Sequence, residues 1–152
     1  MTDVHSRLKE LGITLPAVVP PVAAYQPAVQ SGPHVYVSGQ VPMVDGKLAD
    51  TGLVGTDVTP ERGAELARIC ALNGLAAIEA LVGLDAVVRI VKVTGFVASA
   101  HDFGGHPAVI NGASEVLGEI FGDAGVHARA AVGVSSLPLG SPVEVEMIAE
   151  VR

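Results

Sequence analysis

Thr59-Pro60 opens a run, ERGAELARICALNGLAAIEALVG, in which apolar residues recur at helical spacing until Gly83. The valine-rich DAVVRIVKVTGFVAS follows almost without a break. A threonine cap and a proline in the first turn are start signals and glycine is a stop signal, so the stretch predicts a helix over 60–82. Valine suits a pleated, half-buried surface, so the next segment predicts a long strand. A helix with one apolar face must bury that face, and the strand delivered directly behind it offers the surface. This pair constrains the fold more than any other feature: it calls for helices laid on a sheet.

The remaining segments fit around it. HVYVSGQVPM predicts a strand and VDGKL its hairpin turn, with Asp45-Gly46 as the signal. GASEVLGEIFG predicts a second helix over 112–121, closed by Gly122 and preceded by a GGHPAVI loop. The closing HARAAVGVSSLPLGSPVEVEMIAEV reads as two strands of a hairpin around a Leu-Pro-Leu-Gly-Ser-Pro turn. Residues 3–11 suggest a short helix ending near Gly12. LPAVVPPVAAYQP beyond it must run extended, because proline cannot donate to a ladder. The order is strand, strand, helix, strand, helix, strand, strand, an α+β sheet with both helices on one face. The chain divides into an N-terminal extension, residues 1–21, and one domain, residues 22–152.

Hydrophobic residues make up 49% of the 152, charged residues only 16%, and mean hydropathy is +0.50. A monomer has too little polar surface to cover so much apolar surface, so the face of the sheet away from the helices is expected to meet other subunits. The net charge is −7, and the nine basic residues do not cluster. Polyanion binding needs clustered Lys and Arg, so nucleic acid is not an expected partner. One cysteine, Cys70, excludes an intrachain disulfide and a cysteine-rich metal site. It stands mid-helix among apolar neighbours and is expected to be a buried hydrophobe. No segment reads as a signal peptide or membrane span, which predicts a soluble, cytoplasmic protein.

The last two segments raise the functional question. At period two, Ala128, Ala130, Val132 and Val134 share one face, and His127, Arg129, Ala131, Gly133 and Ser135 the other. Arg129 therefore projects over small side chains. In the returning strand, Val143, Val145, Met147, Ala149 and Val151 alternate with Glu144, Glu146 and Glu150. This pattern places a guanidinium, carboxylates and open room near one another.

VYVSGQVP, LNGLAAIEALVG, VVRIVKVTGFV, HDF, HAR, and LP followed by VEVEMIA occur in an order and spacing that resembles the RidA/YjgF family, over roughly residues 22–151. The resemblance implies a chorismate-mutase-like fold assembled as a homotrimer, with a barrel-like centre and clefts between neighbouring subunits. It implies a hydrolytic deaminase of small 2-enamine or 2-imino acids. The alternative is a non-catalytic trimer that binds a small carboxylate-bearing metabolite as a sensor, and RNA cleavage is the less favoured third. By the same resemblance, Arg129 falls on the family's carboxylate-binding arginine, Glu144 on its water-positioning glutamate, Tyr25 on its N-terminal aromatic, and Asn111 on its asparagine. Ser38, Gly39 and Ala131 join the substrate-binding set, Ala131 through its backbone N–H.

The chemistry holds without the family. A planar guanidinium binds a carboxylate through two parallel hydrogen bonds and so orients the ligand as well as holding it. A glutamate beside that arginine stays ionised near neutral pH, as a general base must. Neither metal nor organic cofactor is required. The histidines lack the spacing of a metal site, and only His127 draws notice, for its closeness to Arg129. Each residue also has a structural reading. Arg129 pairs with strand carboxylates, Glu144 is a solvated strand residue, Tyr25 packs on prolines, Asn111 caps the second helix, and Gly39 marks a bulge.

Overall fold

A computed structural model describes residues 3–21 and 23–152. The boundary expected at residue 22 falls outside them, as do the first two residues of the extension. In chain order the elements are α1 (Val4–Glu10), β1 (Ala28–Ser31), β2 (His34–Gln40), β3 (Met43–Val44), β4 (Lys47–Leu48), α2 (Pro60–Leu81), β5 (Val87–Ala98), α3 (His106–Phe121), β6 (Ala128–Val134) and β7 (Val143–Val151). Five strands form one mixed sheet in the order β1-β2-β7-β5-β6, with β5 and β6 parallel and every other pair antiparallel.

The helix–strand pair that opened the sequence reading is the spine of the fold. Thr59 Oγ1 accepts from the backbone N–H of Arg62 at 3.1 Å, Pro60 begins α2, and Gly83 stands just past its end at φ 84°. α2 lays Leu66, Leu75 and Ile78, all fully buried, on the sheet face formed by Val35, Val93, Val145 and Met147. α3 packs beside it on the same face. α1 is capped by Asp3, whose Oδ1 accepts from the Ser6 backbone N–H at 3.1 Å, and Leu8 enters the same core. Cys70 is fully buried there, and burial pushes its thiol well above its ordinary range. No helix among the described residues is long and apolar enough to cross a membrane.

Three local expectations are corrected. Residues 28–31 form β1, paired antiparallel with β2 around Gly32-Pro33, with Gly32 at φ 59°. Its Gln and Ser hide the strand from a reading based on valine content. α3 begins at His106 rather than Gly112, so residues 106–110 of the expected loop are helical. Pro107 sits in the first turn, where a missing N–H costs nothing. Gly112 is not a start signal: a Cβ there would overlap the Ala64 backbone carbonyl, so the glycine exists to let α3 touch α2. Finally, β6 and β7 are not a hairpin. β5 lies between them, with Val93 opposite Arg129 on one side and Met147 on the other. Asp45-Gly46, by contrast, makes the expected two-residue turn, at φ 51° and 81°.

Candidate functional site

Residues laterally paired across a sheet point to the same face. Arg129 shares a row with Val93 and Met147, both buried under the helices, so it projects toward the helix side. There β6 is an edge strand and α3 flanks it. Arg129 Nη1 donates to Asn111 Oδ1 at 2.8 Å and to Ser114 Oγ at 3.2 Å, and Nη2 donates to the Pro107 carbonyl at 3.4 Å. Asn111 is therefore an arginine holder in the middle of α3, and the capping reading is overturned by the earlier helix start. Ser114 Oγ also lies 2.9 Å from His127 Nε2, while His127 Nδ1 lies 2.6 Å from the Gly125 carbonyl. A carbonyl only accepts, so Nδ1 carries the proton and His127 buttresses Ser114. Ser114 escaped the sequence reading because only the helix register aims it at Arg129. Ala131 lies two residues along the same face of the edge strand, half-buried.

Arg129 has no carboxylate within ion-pair distance among the described residues. Arg62, by contrast, donates to Asp50 at 2.8 Å and to Glu65 at 2.7 Å, which raises its pKa. The structural reading of Arg129, pairing with strand glutamates, is contradicted by the topology. Glu144, Glu146 and Glu150 alternate with buried β7 residues and so project from the opposite face.

The other predicted residues gather on that opposite side, at the β2–β7 end. Tyr25, Gly39 and Glu144 line a small cavity of about 70 Å³ with Pro20, Pro21 and Leu139. The β2–β7 register shifts between Val37 and Gln40, so Gly39 does mark a bulge. It also admits the Glu144 carboxylate, which a Cβ at position 39 would overlap. Ser38 Oγ donates to the Gln26 carbonyl at 2.6 Å and ties down the strap that carries Tyr25, itself 43% exposed. Leu139, read from the sequence only as part of the turn before β7, lines the cavity with φ 62°, a conformation costly for a side chain with a Cβ. Burial, then the charge of Glu146, raises the Glu144 pKa above its ordinary 4.5. The expected lowering by a neighbouring arginine is absent, because within one chain that arginine lies across the sheet.

The seven residues thus fall into two groups: Arg129, Asn111 and Ala131 at the β6 edge, and Tyr25, Ser38, Gly39 and Glu144 on the far side of β7. Of the histidines, His5 lies near Asp3 and Asp85 in an exposed cluster, where Glu79 and Asp85 pair with it at 3.1 and 3.3 Å. That contact ties α1 to the end of α2.

Comparison with known proteins fits this geometry. The family model described as "YjgF/chorismate_mutase-like, putative endoribonuclease" matches residues 5–151. Protein TCP17 of Trypanosoma cruzi is 42% identical over 98% of this chain and 94% of its own length. A 2-iminobutanoate/2-iminopropanoate deaminase of Dermatophagoides farinae is 32% identical over 90% of this chain and 92% of its own. The crystal structure of Atu1372 from Agrobacterium tumefaciens, a protein of unknown function, superposes with a TM-score of 0.91 at 46% identity, covering 98% of this chain and 92% of that one. With its mixed sheet and a family match over residues 5–151, the chain belongs to the YjgF/chorismate mutase-like family.

Proposed function

We propose that the protein hydrolyses small 2-imino acids to 2-keto acids and ammonia, at sites each built from two subunits. The observation that carries this is Arg129, a guanidinium fixed by three neutral oxygens with no counter-ion among the described residues. Neutral holders spend the donors that face α3 and leave the positive charge for an incoming carboxylate. The name of the Dermatophagoides farinae relative gives the substrate class.

One chain cannot complete the reaction, because its arginine and its glutamate lie on opposite faces of the sheet. The two groups sit toward opposite edges, so a second copy joins them by a head-to-tail contact, which closes into a ring. A trimer is the ring that the family resemblance supports. At the joined site Arg129 clamps the carboxylate and aims the imine carbon at a water. Glu144 of the other subunit takes a proton from that water as its oxygen bonds to the carbon. The nitrogen takes up the C=N electron pair and receives that proton from Glu144, giving the tetrahedral aminol. The hydroxyl proton of the aminol then passes by way of the same carboxylate to the nitrogen, which leaves as ammonia with the C–N electron pair as the keto group forms. The raised pKa of Glu144 makes it a stronger base than a free carboxylate. The sheet face away from the helices, which carries Tyr36 at 44% and Val132 at 42% exposure beside the β7 glutamates, is the surface such a ring covers.

Mixing two inactive variants tests this. Arg129→Ala and Glu144→Gln chains, unfolded together and reassembled one to one, are expected to regain about a quarter of the parent rate, because one interface in four pairs an intact arginine with an intact glutamate. Mixed oligomers without recovered ammonia release sink the shared site.

A further inference from the structure

Arg129 heads a row on the helix side of β6. Ala131 and Gly133 follow it there, and Ser135 continues the row just past the end of the strand. Ala131 raises only a methyl group above the sheet and Gly133 nothing. At the far end of this row lies a cleft of about 490 Å³, lined by Ser99, His101, Phe103, His106, Gly133 and Ser135. Its volume is within the range of roughly 300–1,000 Å³ that small-molecule sites occupy.

His106, the first residue of α3, is half-buried and reaches into the space that Gly133 leaves. A Cβ on Gly133 would stand 2.5 Å from His106 Nε2, so the ring lies directly on the bare strand. Phe103 meets the imidazole edge-on, with ring centroids 5.3 Å apart. Ser99 Oγ lies 3.4 Å from Nε2, long for a hydrogen bond. Packing therefore sets the ring, its tip sits among residues that line the cleft, and a closer hydrogen-bond partner has room to enter. Two histidines and two serines supply N–H and O–H donors. None of the described lining residues is acidic, and Asp102, the nearest acid in sequence, is exposed outside the lining. Donors without acids favour an oxygen anion.

The spacing joins this cleft to the clamp. Four residues of strand put the α-carbons of Arg129 and Gly133 about 13 Å apart. The guanidinium leans toward His106, since its Nη2 reaches the carbonyl of Pro107, the next residue of α3, at 3.4 Å. With about 3 Å taken by a hydrogen bond at each end, about 7 Å remains, the length of a five-carbon chain with a carboxylate at either end.

We infer that His106 selects the substrate of the Arg129 site: a 2-imino acid that carries a second carboxylate at its far end. Arg129 holds the 2-carboxylate, the His106 imidazole and the hydroxyls of Ser99 and Ser135 hold the other, and Ala131 and Gly133 leave the path between them clear. The inference rests on the reading of Arg129 as a carboxylate clamp and adds which imino acid the clamp takes.

Calorimetry of the whole protein with two five-carbon keto acids tests this without turnover. 2-Oxoglutarate is expected to bind about tenfold more tightly than 2-oxopentanoate, which lacks only the second carboxylate. His106→Leu should bring the two affinities together by weakening 2-oxoglutarate. Gly133→Ala keeps the imidazole but sets a Cβ where its tip lies, and should erase the preference in the same way even if His106→Leu fails to fold. A parent that binds 2-oxopentanoate as tightly as 2-oxoglutarate, or a tenfold preference that persists in the folded variants, would overturn the inference and leave the clamp standing. A parent that binds neither acid would overturn the clamp, and the inference with it.

Discussion

The two groups of site residues are built on opposite principles. At the β6 edge, every atom around Arg129 is placed by rigid elements in backbone contact. α3 reaches its position only because Gly112 allows it onto the Ala64 carbonyl, and Asn111 and Ser114 sit on that fixed helix. At the β2–β7 end, Glu144 occupies the hollow over a bulge, facing a strap of prolines and an exposed tyrosine, and no described donor holds it. A clamp must hold a charge at a fixed angle, whereas a base must tolerate two protonation states. Rigidity suits the first and a partly buried, unpaired carboxylate the second.

The largest expected effect breaks the clamp. Arg129→Ala should leave the fold intact yet weaken 2-oxobutanoate binding, read by calorimetry, by roughly 2–5 kcal/mol, the usual cost of stripping one partner from a desolvated charge pair. Arg129→Lys should recover only part, since a point charge cannot hold both oxygens. Unchanged affinity in Arg129→Ala would make the arginine a structural residue.

Next comes rigidity itself. Gly112→Ala sets a Cβ against backbone, which cannot yield, and should cost about 3 kcal/mol or more of stability in denaturant unfolding. Gly39→Ala sets its Cβ against the far end of the Glu144 side chain, which can swing away. It should cost less stability and more activity. If the two variants destabilise equally, the contrast between a rigid and a yielding half fails.

Glu144→Gln should keep ligand affinity while slowing ammonia release by about a hundredfold, as expected for loss of a general base. The pH profile sharpens this. A base works deprotonated, so the rate is lost as pH falls through the Glu144 pKa, which burial and Glu146 hold above 4.5. Removing the like charge by Glu146→Gln should move that acid limb to lower pH. A limb that stays put would detach Glu146 from the site.

The smallest effect belongs to neither group and serves as the control. A hydrogen bond from His5 to the Glu79 carboxylate, with the charges of Glu79 and Asp85, raises the His5 pKa above its ordinary 6.5 despite partial desolvation. The sign follows: the contact is fully present below 6.5 and is lost as pH rises through the raised value. The groups are substantially exposed, so solvent screening keeps the contribution small. Hydrogen exchange in α1 should quicken slightly across that window while exchange at Arg129 does not. Equal quickening at both would mean the pH effect is global.

Sequence alone determined whatever depends on neighbours in the chain. The cap at Thr59, the turn at Asp45-Gly46 and the alternation of valine with glutamate in β7 are local effects of backbone sterics and side-chain period, and they appear where the residues put them. The ordered motifs also identified the family and the residues worth watching. Only the tertiary structure decided which strand lies beside which. Local pattern cannot distinguish β6–β7 as a hairpin from β6 paired with β5, because alternation alone does not say which face of β6 is buried, and the parallel pairing is decided by α3 crossing between β5 and β6. That crossing turned Asn111 from a cap into a holder, made Gly112 a contact point, and sent Arg129 and Glu144 to opposite faces. Each of these outcomes depends on atoms far apart in sequence and close in space, for which a single chain read in order carries no signal.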